Sequence, residues 1–306
     1  MRVDRAVGIS TTLAAVAIIA AIVGASAFAY YEYSVTSKTT PLVVYTADLY
    51  TSESSYLYSG FANATGIPYS TPNGGGSTAL ATQIAQGTPV SVFITVAKST
   101  IEQAALKSQY SGWGIAFAVD QMTLGYTAAS GQPAALQEVL NAYQAAAASN
   151  TTSDWKAFFT DLTSGAVKVG ISNPNSDPAG FRGWMVLEAA GQDYAGNSSY
   201  FTDMMLHNKG NYTASSAADL VAPLQSGQVQ FLFMYRSGAV SDKLQSLVLP
   251  NQVNLGDPAL AGLYSQLTYT TSSGVETGGP IFLFVTVPRT SVETAYALRF
   301  VVYIVQ

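Results

Sequence analysis

The sequence predicts two α/β lobes joined by two chain crossings and preceded by an apolar N-terminal segment. Three observations carry this. From residue 41 onward, β-branched and aromatic runs alternate with amphipathic stretches in the order β-α-β-α, the pattern of a parallel α/β layer. Two long extended runs, residues 112–127 and 278–287, bracket the middle of the chain and read as the crossings between lobes. At 306 residues the chain is long enough for two such lobes, each with its own core.

The N-terminus comes first. The 26 residues between Arg5 and Glu32 hold no charge, enough for a membrane-spanning helix, which needs roughly 20. Arg2 and Arg5 precede it, so the positive-inside rule leaves the rest of the chain outside the cell. Three fates compete for residues 1–33: retention as an anchor, cleavage as a signal after Ala27-Phe28-Ala29, or cleavage near Gly8 in the manner of archaeal pilin-like signals. The chain contains no cysteine, which removes disulfides, thiol chemistry and a lipid-bearing Cys together. Counting from Glu32, 11 basic residues stand against 17 acidic ones, so a basic nucleic-acid footprint is absent. Sequons at Asn63, Asn150, Asn197 and Asn211 agree with an exported, glycosylated surface.

The first lobe is expected over residues 34–120 and 284–306, the second over 121–283. LVVYTA is a buried strand, followed by a helix over residues 48–66 that Gly66 closes. Residues 72–76 form a Gly-rich loop, Ser77 is placed to cap the helix TALATQIAQ, and VSVFITVA is the next strand. In parallel α/β layers ligands sit beyond the carboxyl ends of strands, where Asp48 and Ser77 fall. Residues 120–122 make the first crossing. Helices follow at 133–149 and 153–162, then a short β-run at Val167, Val169 and Ile171. Asp177 is placed to cap the next helix, Pro178 fits its first turn, and Gly191 is placed to end it. Such a start presents amide N–H groups and the positive end of the helix dipole to an anion. Asn173, Asn175 and Asp177 read equally as ordinary turn and capping residues. A polar insertion at 197–215, a helix at 217–225, the strand VQFLFMY, the return crossing at 280–284 and a last helix at 291–305 complete the chain.

The run NPNSDPAGFRGWMV resembles the NPNxDPCGYRSLMV signature of the tungstate/molybdate-binding proteins of archaeal ABC importers. The resemblance extends over most of the exported part. GGGSTALATQIAQGTPVSVFITVAKSTI, GWGIAFAVDQMTLGYT and LPNQVNLGDPALAGLY are similar to the family's GSVxxARQITEGxxADVFxSADxxxI, WYxxFAxNxMVLAYT and LPxEINLGDPxYADFY, in that order. It implies a bilobal type II periplasmic-binding-protein fold, an extracellular substrate-binding role without catalysis, and hand-over of the oxyanion to a permease driven by an ATPase. The implied ligand-binding residues are Asp48, Ser77, Asp177, Pro178, Ala179 and Tyr235, with Asp177 and Asp48 as ligands to the metal of bound tungstate or molybdate and no other cofactor.

Two positions depart from that pattern. Asp48 stands where the family's AGSL motif has its oxyanion-contacting Ser, and Met234 stands where FEYKSVA has its carboxylate ligand. Two carboxylates are kept only if Asp48 points inward; otherwise it is a helix cap. Carboxylates repel a dianion unless they bind its metal or are protonated. Family members also continue past the helix that stops here at Gln306, so a truncated or a reduced chain is expected.

Other functions remain in view: capture of another oxyanion, a sugar or a peptide; an enzyme; or a surface-filament subunit. The single histidine, His207, lies in the polar insertion with no nucleophile elbow, His-x-x-x-His or Walker loop beside it, and reads as solvated. Trp113, Trp155 and Trp184 are available for stacking on sugars, but Trp184 falls inside a helix where a core role is expected.

Overall fold

A computed structural model of the chain describes residues 40–127, 133–208 and 212–306. The expected anchor and the sequon at Asn211 lie outside them. No helix among the described residues is long and apolar enough to cross a membrane.

The strands in chain order are β1 (Val44–Ala47), β2 (Asn73–Gly75), β3 (Val92–Thr95), β4 (Ile115–Asp120), β5 (Met122–Tyr126), β6 (Val169–Gly170), β7 (Phe231–Tyr235), β8 (Gln245–Val248), β9 (Thr268–Thr271), β10 (Gly274–Thr277) and β11 (Ile281–Thr286). Helices of eight or more residues are α1 (Thr51–Thr65), α2 (Ser77–Ala85), α3 (Ala134–Ser149), α4 (Thr152–Thr163), α5 (Pro178–Ala190), α6 (Ser199–His207) and α7 (Thr294–Val305). They build two larger sheets, each with helices packed against it, and a separate two-stranded sheet of β9 and β10.

In lobe 1 the order is β2-β1-β3-β11-β4, with β1 parallel to β2 and β3 and the returning β11 antiparallel to β3 and β4. In lobe 2 it is β6-β7-β5-β8. The chain leaves the first sheet at Asp120 and enters the second at Met122, so one residue, Gln121, separates the two. All of β11 joins the first sheet, Ile281 pairing with Asp120. Residues 281–283, expected with lobe 2, therefore stand in the lobe 1 sheet.

The cores follow from the buried faces of these elements. Under lobe 1, Leu42, Val44, Tyr58, Phe61, Val92 and Phe300 are sealed from water, with the rings of Tyr58 and Phe300 stacked at 4.5 Å. α1 ends as its sequence predicts, at Gly66 with φ +73°, a conformation that costs glycine no Cβ clash. Lobe 2 is built on Phe158, Phe159, Phe201, Phe231 and Phe233.

Three local expectations are corrected. The loop at 72–76 contains a strand, because Asn73–Gly75 pairs in parallel with β1. The run at 167–171 is reduced to the two-residue β6. The polar insertion carries helix α6, which buries Phe201 and Met205; its polar residues are the outer face of a helix at 3.6-residue period. Gly191 is the C-cap of α5, as expected, but not as a left-handed terminator. Its φ is −60°, and the helical path runs on through residues Gly191–Ala195 to Gly196 at φ +67°. Gly191 is small for another reason: a Cβ there would lie 2.6 Å from the Asn197 carbonyl oxygen.

Deleting the Phe300 ring removes the centre of the lobe 1 core. Phe300→Ala is expected to lower the unfolding free energy of that lobe by about 3–5 kcal/mol, read in urea titration.

Candidate functional site

The cleft between the lobes is closed. Lobe 1 contributes the end of β1 and the start of α2, and lobe 2 contributes the loop before α5 and the turn at residues 215–218. A Cβ placed on Gly76 would lie 2.4 Å from the Ser176 carbonyl oxygen and 3.3 Å from Asp177 Cβ, so the two lobes touch directly at this glycine. Its φ of −56° is open to any residue; the contact across the cleft alone requires glycine.

Asp177 sits at the centre. It is 3% exposed and caps α5 as its sequence predicts: Oδ1 accepts the Ala179 amide at 3.1 Å, with Pro178 in the first turn. Oδ2 accepts the Ala217 amide at 2.8 Å. Burial pushes the Asp177 pKa up to about 7, and the like charge of Asp48 adds to the rise. The Ser172 hydroxyl and the two amides pull the other way.

Asp48 comes from the opposite lobe. Its Oδ1 accepts the adjacent Leu49 amide at 2.8 Å within the short turn Asp48–Tyr50, whose cap position is held by Ala47, while its Oδ2 is shut off from solvent and turned toward Ser216 and the Ala218 amide of lobe 2. Burial raises its pKa as well. Asp48 thus stands inside the first turn rather than at its cap, and one of its oxygens faces lobe 2. A cavity of about 280 Å3 opens beside it, bordered by Ser52, Ala222, Gln225, Ser241 and Asp242.

Ser77 is fully buried, but it is the first residue of α2 rather than its cap. Gly76 holds the cap position, and no side chain fills that role. The Leu80 amide bonds the Gly76 carbonyl, which leaves the amides of residues 77–79 ahead of the first helical hydrogen bond. Three buried polar atoms, Asp48 Oδ2, Ser77 Oγ and Ser172 Oγ, have no hydrogen bond of normal geometry among the described residues. Leaving such atoms unsatisfied costs about 1–3 kcal/mol each.

Pro178 and Ala179 stand at the start of α5 beside Asp177. Both are buried, but the Ala179 amide is spent on Asp177 Oδ1 and the Gly180 amide on the Asp177 carbonyl. The start of α5 therefore caps itself and offers no free amide at these two residues. Tyr235 is 2% exposed and its hydroxyl accepts a hydrogen bond from Arg182 Nη1 at 2.8 Å. Met234, one step along β7, points to the opposite face, where its sulfur lies against Gly125 in the lobe 2 core.

Arg182 and Ser172 were not singled out from sequence. Arg182 stands in the quoted FRG motif, but nothing in a linear sequence marks a basic residue as buried. The remaining candidates are placed elsewhere. His207 is exposed on α6 with Nδ1 against the Asp203 carbonyl oxygen. Trp184 is half-buried and stacks on Tyr269 at 6.5 Å. Asn63, Asn150 and Asn197 are exposed, and the Asn150 carboxamide oxygen accepts the Trp155 indole N–H.

With two lobes, a buried cleft and orphaned polar atoms described, the chain can be placed. It belongs to the bacterial extracellular solute-binding protein family, whose model matches residues 43–305. An uncharacterized solute-binding protein of Saccharolobus solfataricus is 37% identical over 264 residues, covering 83% of this chain and 65% of its own length. One from Sulfurisphaera tokodaii is 36% identical over 276 residues, covering 88% of this chain and 72% of its own length. This chain thus spans about two thirds of those relatives. Among solved structures, the periplasmic molybdate-binding protein of Azotobacter vinelandii superposes with a TM-score of 0.59 at 18% identity, covering 86% of this chain and 92% of that one. The sulfate-binding protein of Mycobacterium tuberculosis does so at 0.60 and 14%, covering 88% and 82%. The fold is that of periplasmic binding proteins, and family and fold are those of solute-binding proteins rather than enzymes.

Two outcomes are expected. Gly76→Ala inserts a methyl group where the lobes touch, so its radius of gyration by small-angle scattering exceeds that of the unmodified protein. The second concerns pH. Asp177 binds its proton more tightly folded, at about 7, than unfolded, near 3.9. Its contribution to stability is therefore full below about pH 4 and is lost as pH rises through about 7. Asp48→Asn removes the facing charge, and its denaturation free energy should decline less steeply over that window.

Proposed function

We propose that the chain captures a tetrahedral oxyanion, tungstate or molybdate, between its lobes and delivers it to an ABC permease driven by an ATPase. The observation that carries this reading is the cluster of buried polar atoms around Asp177 that make no hydrogen bond of normal geometry among the described residues: Asp48 Oδ2, Ser77 Oγ and Ser172 Oγ. The oxygens of an oxyanion are acceptors, so the buried Ser77 hydroxyl has one to donate to, and the amides at the start of α2 add the positive end of a helix dipole. The names of the molybdate- and sulfate-binding structural neighbours agree with an oxyanion.

The two carboxylates decide between oxyanions. A site that holds Asp48 and Asp177 from opposite lobes repels a dianion bound through hydrogen bonds alone. Tungstate and molybdate offer a metal centre to which carboxylates coordinate; sulfate offers none. In this reading Asp48 and Asp177 ligate that metal, Ser77 donates to an oxygen, and Pro178, Ala179 and Tyr235 form the wall. Asp48 thereby takes over the carboxylate role that Met234, turned into the core, leaves empty. The lobes open and close about residues 120–122 and 280–284. The N-terminal apolar segment holds the domain on the outer face of the membrane, with glycans on Asn63, Asn150, Asn197 and Asn211.

Calorimetric titration with tungstate, molybdate, sulfate, a divalent cation and a panel of sugars tests this. Tungstate or molybdate is expected to bind and sulfate to bind far more weakly. Ser77→Ala should weaken binding roughly tenfold to a hundredfold, the worth of one hydrogen bond to a charged partner. Asp48→Ser restores the hydroxyl of the related motif, and tungstate affinity should nevertheless fall. The absence of measurable oxyanion binding ends the reading, and binding of the divalent cation in its place turns the carboxylate pair into a cation site.

A further inference from the structure

Arg182 has no place among the ligand-binding residues above, yet it is the buried cation of the cleft, 8% exposed in the second turn of α5. Its guanidinium is bonded on two sides. Nη1 donates to the Tyr235 hydroxyl at 2.8 Å, within lobe 2, and Nη2 donates to the Val96 carbonyl oxygen at 2.6 Å, in lobe 1 just beyond β3. The plane rests near the rings of Phe181 and Tyr235, at 5.6 and 5.7 Å. Its hydrogen bonds go to a backbone carbonyl and a phenol, not to a carboxylate. The one ion pair among the described residues, Lys98 with Glu102, lies on the lobe 1 surface.

This arrangement differs in kind from a ligand contact. A backbone carbonyl at the end of a strand is fixed by its sheet, so the Val96 bond forms only when the lobes are at closed distance. Parting them costs Arg182 a charge-assisted hydrogen bond in a low-dielectric setting. On its other side the same residue is tied toward the crossing. The Tyr235 ring lies 5.6 Å from that of Tyr50, and the Tyr50 and Ser237 hydroxyls both donate to Asp120 Oδ2, where the chain leaves lobe 1.

We propose that Arg182 is an interlobe latch: a positioning residue that holds lobe 1 to lobe 2 through Val96 and sets the population of the closed form before any ligand arrives. It rests on the reading that the lobes move about the two crossings, and not on which solute they capture. A latch of this kind supplies part of the free energy of closure, so the ligand has less to provide. Once bound, the ligand leaves more slowly.

The test is read without ligand. Because the chain has no cysteine, Gln86→Cys and Ser273→Cys introduce two unique labelling sites. Both are exposed on opposite walls of the groove between α2 and the β9-β10 hairpin, and that hairpin packs on α5 of lobe 2. Distance distributions between spin labels at these sites are expected to show a substantial short-distance population in the otherwise unmodified protein. Arg182→Gln should shift the closed-to-open ratio toward open by about tenfold to a hundredfold. Arg182→Lys, which keeps the charge and one donor for Val96, should fall between the two. Far-UV circular dichroism should be the same for all three. An Arg182→Gln distribution that matches the unmodified one overturns the proposal, as does an unmodified protein with no short-distance population. If Arg182→Gln does not fold, Arg182→Lys carries the test, and a closed population unchanged by it overturns the proposal equally. Failure of tungstate or molybdate to bind leaves these distances untouched, so the two readings fail separately.

Discussion

The Asp177 carboxylate is a charge buried where two lobes meet, and most of the cleft is arranged around making that tolerable. Two backbone amides, Ala179 and Ala217, each take one of its oxygens. The first belongs to the helix it caps and the second to a turn 40 residues further on. One side chain therefore fixes the start of α5 and the position of residues 215–218 together. Burial cost then appears as a raised pKa rather than as unfolding, because the group has the option of holding a proton. Asp48, brought up from the other lobe, adds a like charge to that centre. The proposed ligand site rests on these polar groups and on the buried Ser77 hydroxyl beside them.

Closure itself depends on features far smaller than the lobes. At Gly76 there is no room for a methyl group against the Ser176 carbonyl. At Gly238, on the other side of the cleft, a Cβ would lie 3.1 Å from the Leu49 side chain. Apolar contact is continuous between these points, since Ala47, Leu49, Tyr50, Val96 and Ala97 of lobe 1 pack into the same buried cluster as β5 and β7 of lobe 2. Arg182 is a polar member of that interface, with Asp120 and Asp48. A hinge of one residue, Gln121, between β4 and β5 gives the lobes little freedom except to rotate about the crossings.

The family and the fold define the kind of molecule, a receptor that surrounds its solute, and they stop short of the solute's identity. At 14–18% identity the superposed structures speak for architecture alone. The local features of the cleft are two carboxylates on opposite walls, hydroxyls at Ser77 and Ser172, and a β7 whose alternation sends Met234 away from the cleft and Tyr235 toward Arg182.

Sequence alone determined the elements whose signals are local. Asp177 and Pro178 start α5 because a capping carboxylate and a missing N–H suit a first turn, and Gly66 ends α1 because its φ of +73° belongs to glycine. The alternation of strands and helices, and the crossing at 120–122, were legible for the same reason: hydrophobic period depends on near neighbours. Where the reading missed, the deciding contacts were distant. Gly191 caps α5 in a right-handed conformation, and it is the carbonyls of Asn197 and Ser198, which leave no room for a Cβ, that require glycine there. Ser77 looks like a cap, but Gly76 holds that position where lobe 2 lies against it, and the Ala179 amide is consumed by a cap whose second oxygen is claimed by Ala217. That Asp48 faces Asp177, and that Arg182 spans to Val96, are relations between residues 129 and 86 positions apart. Only closure of the chain into two apposed lobes brings such groups together, because burial and like-charge contact are properties of position in space and not of order along the chain.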